Sequence, residues 1–290
     1  MANNAPMKGT DRQRASERLV QAARRYLLDR RSRDGGFCYY RSVYLDEPNL
    51  SDTYYAVSAL ELIGSPPESG DSLVHFATRF IHVRQALARY HAASLLRCVQ
   101  GAEFQPQQDW VDELSRWTIT APPGRDSPQL TAWLNRTRTL VRLKNDFTAF
   151  HDRDRIALTV RALEHPAGGF GNCPNMLDAA TAIDILAHCE GTPVRLPLTR
   201  QFVDSLQVPF IAFTLTPSSS TTNVDVIFSG LHCCIALDIP VRFVAEASSF
   251  VKACQAGNGG FARAPSASAT IELTYKALWS LRALDPEILK

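Results

Sequence analysis

The chain has 290 residues, of which 45% are hydrophobic, and its 31 basic and 29 acidic residues leave a net charge of +2. This composition can bury a sizeable core, and the nearly neutral charge gives no reason to propose nucleic acid as a partner. No run approaches the roughly 18 apolar residues of a membrane-spanning helix, so no transmembrane segment is expected.

The seven cysteines and the N-terminal residues indicate the cellular compartment in which the protein is expected. The cysteines are odd in number and their spacing fits no disulfide framework. Residues 1–14 are polar and lack the apolar centre of a secretory signal. Free thiols without a signal are typical of a reducing compartment, so we expect a cytoplasmic protein. The absence of a Cys-x-x-Cys pair argues against a ribbon-type structural zinc site.

Hydrophobic periodicity predicts a disordered tail at residues 1–10, followed by one helical domain at residues 11–290. Ser51 or Asp52 is predicted to cap the second helix. Residues 209–216 are apolar and β-branched, and we expect a buried loop there rather than a strand. The predicted helices cover residues 11–30, 53–63, 72–83, 85–99, 110–118, 129–143, 154–164, 177–189, 198–206, 223–237, 241–254 and 271–284.

Gly-Gly-Phe occurs three times, at residues 35–37, 168–170 and 259–261. The copies are 133 and 91 residues apart, close to three and two units of about 45 residues, a period typical of helical repeat arrays. The predicted helices pair into six hairpins of about this length. Repeats of this kind form either an open solenoid or a closed ring.

The two helices of each hairpin differ in composition. The second is more apolar and richer in small residues, as in Ala179, Ala180 and Ala182. A helix that is apolar almost all round is buried on both sides, whereas the first helices carry Arg and Glu on an outer face. This asymmetry predicts two concentric layers, and therefore an all-α fold with a single (α/α)6 toroid, a double ring of six helical hairpins.

Gly-Gly-Phe, then a loop, then an acid that opens an alanine-rich helix resembles the repeat of protein prenyltransferase β subunits and terpenoid cyclases. Residues 34–37, Asp-Gly-Gly-Phe, are similar to the family form Gln-x-x-Asp-Gly-Gly-Phe, although Arg31 replaces its Gln. The resemblance spans roughly residues 12–285. It implies a toroid with an apolar central cavity, whose chemistry sits where the inner helices begin and their N-termini favour an anion.

The fourth repeat departs from what the resemblance implies, a zinc ion held by Asp, Cys and His beside a prenyl diphosphate. Asp178 stands where the family has its zinc-binding Asp, but Ala180 replaces the Cys, and residues 270–275 contain no His. Asn172 and Asn175 replace two phosphate-binding cations. We therefore expect the family zinc site to be absent, and the cofactor stays undetermined. The Asp-x-Asp-Asp motif with which cyclases protonate an alkene or epoxide is also missing.

Acids begin four predicted inner helices: Asp52, Asp178, Asp225 and Glu272. At a cavity mouth they are candidate catalytic acids. The alternative is that each is an ordinary first-turn acid, which caps the helix or complements its dipole. If several converge in a dry cavity, their mutual repulsion raises at least one pKa.

Candidate substrate-binding residues lie near the same helix starts. Aromatic rings stabilise carbocations through their π faces, but they are equally ordinary core. Arginine on an inner helix needs a partner or a wet cavity, so it either holds an anionic group or pairs with an acid. The candidates are Tyr54, Tyr55, Trp133, Asn172, Asn175, Phe228, Tyr275 and Arg84.

Two functions stay open. The first is a prenyltransferase-like or terpenoid-cyclase-like enzyme that acts on an isoprenoid or other apolar substrate in the central cavity, by acid-initiated cyclisation without the family zinc. The second is a non-catalytic toroid that binds a lipid, a peptide or a protein partner. A deep aromatic-lined cavity with an acid at its base favours the enzyme, whereas a plugged centre favours the binding module.

Overall fold

A computed structural model of the chain describes residues 9–42, 44–67, 70–101 and 104–289. The predicted disordered tail falls mainly on residues 1–8, which lie outside the described residues. The helices are α1 Gly9–Leu28, α2 Leu50–Leu62, α3 Gly70–Thr78, α4 Ala86–Gln100, α5 Gln108–Ser115, α6 Leu130–Phe147, α7 Arg153–Arg161, α8 Met176–His188, α9 Leu196–Ser205, α10 Val224–Ala236, α11 Val244–Ala253 and α12 Ile271–Leu284.

The even-numbered helices form a closed inner ring. Each of α2, α4, α6, α8, α10 and α12 packs against the next, and α12 packs against α2. Each odd-numbered helix packs outside the inner helix that follows it in the chain. The predicted all-α (α/α)6 toroid is therefore confirmed. Of the described helices, none is both long and apolar enough to cross a membrane.

The first glycine of each Gly-Gly-Phe copy joins one hairpin to the next. Gly35, Gly168 and Gly259 have φ angles of 90°, 96° and 91°, in the left-handed region that favours glycine. A Cβ atom at these positions would collide with the backbones of α3, α9 and α1, respectively. Each copy of the motif therefore lies against the next outer helix of the ring. The last copy contacts α1, the first helix of the chain.

The phenylalanine of the motif anchors the loop that leads to the inner helix. Phe37, Phe170 and Phe261 are completely buried. The backbone N–H of Phe37 donates to Thr53 Oγ1 at 2.8 Å, and that of Phe261 donates to Thr274 Oγ1 at 2.9 Å. The first and last of the three loops are thereby tied to the first turn of the inner helix that follows them.

Three local predictions were wrong. Asn49, not Ser51 or Asp52, caps α2: its backbone is extended (φ −124°) and its Oδ1 accepts from the Asp52 N–H at 2.9 Å, because the capping residue lies outside the first helical turn. Helix α3 ends at Thr78 rather than residue 83, since the N–H groups of Phe80 and Ile81 bond to carbonyls three residues back.

The third error concerns residues 209–216, which were expected to be a loop. Strand β1 Gln207–Val208 pairs antiparallel with β2 Ala212–Phe213. Gly230 of α10 leaves room for the Phe213 ring, so packing against the inner ring holds the hairpin in place. A second short hairpin joins β3 Phe261–Ala262 to β4 Ala269–Thr270, directly before α12.

Candidate functional site

Aromatic rings from four neighbouring inner helices form a continuous band around one side of the ring axis. We call this band the aromatic arc; it consists of Tyr90 and His91 of α4, Tyr54 and Tyr55 of α2, Tyr275 and Trp279 of α12, and Phe228 and His232 of α10. Tyr54 stacks on His91 at 4.3 Å between ring centroids, and Trp279 stacks on His232 at 3.9 Å. Tyr275 joins the two halves, 5.6 Å from Tyr55 and 6.4 Å from Phe228.

Arginine, aspartate and histidine side chains of α6 and α8 lie on the other side of the axis. We call Arg138, Arg142, Asp184 and His188 the ionic arc. Arg142 Nη2 lies 2.7 Å from Asp184 Oδ2, and His188 Nδ1 lies 3.5 Å from Asp184 Oδ1. The two residues that each of these helices contributes are four positions apart, and the same spacing separates the aromatic residues of α10 and of α12. Residues four apart lie on the same face of a helix, so each helix directs one face toward the axis.

The two arcs are within electrostatic range of each other. Burial raises the pKa of Tyr54, Tyr55 and Tyr275, and the Arg142 charge opposes that rise in all three. Burial by itself lowers the pKa of Arg142, but the Asp184 carboxylate outweighs it and raises that pKa above its ordinary value. Arg142 therefore keeps its charge in a half-buried position facing the tyrosines.

Both histidines of the aromatic arc are neutral at neutral pH. Burial lowers the pKa of His91 to about 4 and that of His232 to about 4, because a charged imidazole loses its hydration there. His232 Nε2 is buried and has no hydrogen-bond partner. The two rings thus add aromatic surface to the arc without adding positive charge.

The four acids predicted as catalytic lie in the first turns of their helices, as expected. Asp225 and Glu272 share a lysine: Lys276 Nζ lies 2.7 Å from Asp225 Oδ1 and 2.6 Å from Glu272 Oε1. Arg263 Nε lies 2.9 Å from the second oxygen of Asp225. Both carboxylates are therefore held as ion pairs at the mouth of the ring.

Asp52 lies at the seam between α2 and α12. Burial raises its pKa, the Asn49 side chain lowers it, and the Glu272 charge raises it. Sequence analysis predicted that repulsion between first-turn acids raises at least one pKa. At Asp52 the Glu272 charge does raise the pKa, but burial raises it more. Asp52 precedes Tyr55 by one helical turn of α2, and its charge also acts on Tyr26 of α1.

Asp178 is separated from the other three acids. It is 6% exposed, and its Oδ2 accepts from Asn175 Nδ2 at 2.8 Å and from Thr131 Oγ1 at 3.2 Å. Ala180 carries no donor atom. These residues do not fit the zinc site implied by the family resemblance, and no group of three or more His, Cys, Asp or Glu in the described ranges could hold a metal ion.

The predicted substrate-binding residues fall into two groups. Tyr54, Tyr55, Phe228 and Tyr275 belong to the aromatic arc. The others lie elsewhere: Trp133 is buried with its Nε1 donating to the Thr120 carbonyl, Asn172 is exposed, Asn175 caps α8, and Arg84 is exposed beside a separate cavity. Their role in substrate binding stays a prediction.

The sequence analysis did not identify Arg142 and Asp184, the ion pair of the ionic arc. Asp184 and Arg142 lie in the middle of helices otherwise assigned to the interior, and a charge in such a position requires a partner. That signal was present in the sequence. The sequence did not identify which residue pairs with Arg142, because Asp184 lies 42 positions further along the chain.

One small cavity borders the aromatic arc. A cavity of about 290 Å³ lies between α2 and α4, bordered by Tyr54, Tyr90, Ser58 and Ser94. Ligand sites usually hold roughly 300–1,000 Å³, so this cavity is at the lower end of that range. A long apolar chain would require some of the rings to move.

The comparisons agree with this architecture. The family model "Prenyltransferase alpha-alpha toroid domain" matches residues 7–117 and 125–290. Candida albicans protein geranylgeranyltransferase-I, complexed with GGPP, is similar in structure with 10% identity and a TM-score of 0.63, over 94% of this chain and 95% of that one. No curated protein matches the sequence.

A type II terpene cyclase from Scytonema is also similar. In complex with geranylgeranyl dihydroxybenzoate it has 12% identity and a TM-score of 0.58, over 96% of this chain and 99% of that one. In complex with merosterolic acid A it has 14% identity and the same TM-score of 0.58, over 97% of this chain and 100% of that one. At these identities the likeness concerns the fold.

Proposed function

The chain belongs to the prenyltransferase alpha-alpha toroid family, and we propose that it binds an isoprenoid chain in the ring and cyclises it by proton-initiated chemistry. The observation that carries the proposal is the division of the lining into an aromatic arc and an ionic arc. An isoprenoid with a polar end matches that division: its alkenes pack against the rings, and its polar end lies toward Arg142 and Asp184.

The aromatic arc suits a reaction that passes through a carbocation. The π faces of Tyr, Phe and Trp attract positive charge, more strongly where water is excluded. The histidines of the arc support this role because, with pKa values near 4, they carry no competing positive charge at neutral pH.

Asp52 is the proton donor we propose. A general acid must hold its proton near the working pH, and burial shifts the pKa of Asp52 in that direction. Its proton would add to a terminal alkene or epoxide of the chain, ring closure would move the positive charge along the chain, and proton loss to a base would end the reaction. Asp225 and Glu272 are ion-paired with Lys276 and would hold it at the mouth.

A second candidate is a non-catalytic isoprenoid-binding toroid. The small cavity beside Tyr54 and Tyr90, of about 290 Å³, favours it, as does the commitment of Asp178, Asp225 and Glu272 to partners within the protein. In this case the lining binds a chain without transforming it.

Incubation of the purified protein with all-trans geranylgeraniol and with its terminal epoxide separates the candidates. Binding is followed by the fluorescence of the tryptophans, which include Trp279 of the arc, and products by mass spectrometry. We expect a cyclised product whose formation falls at least about 100-fold in Asp52→Asn. Asp71→Asn is the matched control, because Asp71 occupies the first turn of outer helix α3 and is exposed.

Binding without product, equal in the wild type and Asp52→Asn, supports the second candidate. Product formation that is unchanged in Asp52→Asn removes this residue as the acid. An absence of binding for both compounds overturns both candidates.

A further inference from the structure

A second, larger cavity lies away from the aromatic arc. It has a volume of about 930 Å³ and lies between the start of α4, the end of α5 and the middle of α6. Its size is within the usual range for small-molecule sites. Nothing in the proposed isoprenoid chemistry uses it.

Three arginines from three different elements line this cavity: Arg84 before α4, Arg116 after α5 and Arg136 of α6. Arg84 and Arg136 are exposed. Within the described ranges none of the three forms an ion pair, although Arg116 Nε donates to the Asp112 carbonyl at 3.1 Å. Three arginines that line one cavity and form no ion pair in the described ranges favour a multiply charged anion.

The acid in the cavity wall, Glu113, does not neutralise these arginines. Its Oε2 lies 3.2 Å from Nη2 of Arg89, which is completely buried. The Arg89 guanidinium also lies 4.5 Å from the centroid of the Trp117 ring, and its Nη1 has no hydrogen-bond partner. Arg89 thus neutralises Glu113 from within the protein, so the charge of the cavity wall stays positive.

The N-terminus of α4 adds a favourable dipole. Gln85, its N-cap residue, makes no side-chain capping bond, and residues 84–87 border the cavity. The free N–H groups at such a helix start attract an anion. This contribution supplements that of the three arginines.

The remaining wall is largely apolar. Leu87 is 52% exposed, and Trp117 and Leu140 also line the cavity. An exposed leucine next to arginines would suit a ligand that carries both charge and hydrocarbon. We propose that this cavity binds a phosphate monoester or diphosphate that carries an apolar group, with the phosphate held by Arg84, Arg116 and Arg136 and the apolar group against Leu87 and Trp117.

Isothermal titration of the full chain with hexyl phosphate, inorganic phosphate and hexanol tests this proposal. We expect hexyl phosphate to bind about tenfold more tightly than inorganic phosphate, and hexanol to give no measurable heat. Arg84→Gln, Arg116→Gln and Arg136→Gln should each weaken both phosphates about tenfold. Leu87→Gln should weaken hexyl phosphate alone.

Arg282→Gln is the control, since Arg282 is exposed on α12 away from the cavity. Circular dichroism melting of each variant checks its fold. The proposal is overturned if no phosphate binds, if Arg282→Gln weakens binding as much as the cavity variants, or if hexyl phosphate and inorganic phosphate bind equally and Leu87→Gln has no effect. The isoprenoid proposal does not depend on this result, because its test uses uncharged compounds and Asp52.

Discussion

Charged residues at the ring axis are stabilised by a specific partner. Arg142 and Asp184 form an ion pair of 2.7 Å in half-buried positions, and His188 lies beside the same carboxylate. An unpaired charge in such a place carries a desolvation cost of several kcal/mol (roughly 3–5 when one partner of a buried pair is removed). The ionic arc is therefore a unit, in which each charge depends on the others.

The buried histidines make stability depend on pH. His91 and His232 have pKa values of about 4 in the folded protein, against 6.5 for an unperturbed histidine. Between these values the unfolded chain binds protons that the folded protein does not bind. The free energy of unfolding should therefore fall as pH drops from about 6.5 to about 4, by up to about 1.4 kcal/mol per pH unit for each histidine.

Urea denaturation at pH 7 and pH 5 measures this dependence. His91→Phe retains the ring that stacks on Tyr54 and removes the titrating group, so its stability should change less with pH than that of the wild type. His75→Gln, at an exposed position of α3, should leave the dependence unchanged. Identical pH profiles for the wild type and His91→Phe would contradict the assignment.

At the scale of single elements, inner helices α2, α8 and α10 begin with an asparagine outside the first turn. In α2 and α8 the asparagine Oδ1 accepts from the N–H of an acid three residues later, at 2.9 and 3.0 Å. The acid at that position completes the arrangement, because the Asn175 amide donates back to Asp178. The first-turn acids therefore have a structural role whether or not they also act on a ligand.

Asn49→Ala should lower the free energy of unfolding by about 1 kcal/mol, because the Asp52 N–H loses its acceptor. Ser51→Ala is the comparison, since Ser51 lies inside the helix. Chemical denaturation of both variants measures the difference. Equal losses would restore the sequence-based assignment of the cap to Ser51 and contradict the observed one.

At the scale of the whole molecule, the ring is closed by contacts between its two ends. Helix α12 packs against α2, and Gln255 Nε2 donates to the Leu19 carbonyl at 3.0 Å across 236 positions of the chain. Gly259 lies against the backbone of α1 at Ala22. Gly259 of the last Gly-Gly-Phe copy therefore packs against the backbone of α1 in the same way that Gly35 of the first copy packs against the backbone of α3.

Gly259→Ala should disturb this closure. The φ of 91° is unfavourable for alanine, and the added Cβ would meet the α1 backbone, so a loss of at least about 2 kcal/mol is expected. Gly257→Ala is the matched control, because no atom lies within 4 Å of its added Cβ. Thermal melting compares the two, and equal melting temperatures would contradict the role of Gly259.

The repeat architecture followed from local signals. Charged outer helices alternate with inner helices rich in small residues, such as Ala179, Ala180 and Ala182 of α8, and this alternation is visible in short stretches of sequence. The Gly-Gly-Phe copies indicate the length of the hairpin repeat. Helix ends were less well predicted: the cap of α2 and the end of α3 depend on side-chain and backbone bonds that neighbouring residue types do not specify uniquely.

The sequence by itself determined the double ring and part of its aromatic lining, because periodicity and small residues constrain each helix separately. The tertiary structure decided which charges meet. Asp184 faces Arg142, Asp225 shares Lys276 with Glu272, and Arg84 lines a cavity together with two arginines of the next hairpin. Such pairings depend on how far each helix is rotated and shifted within the closed ring, and these quantities are fixed only when all the hairpins pack together.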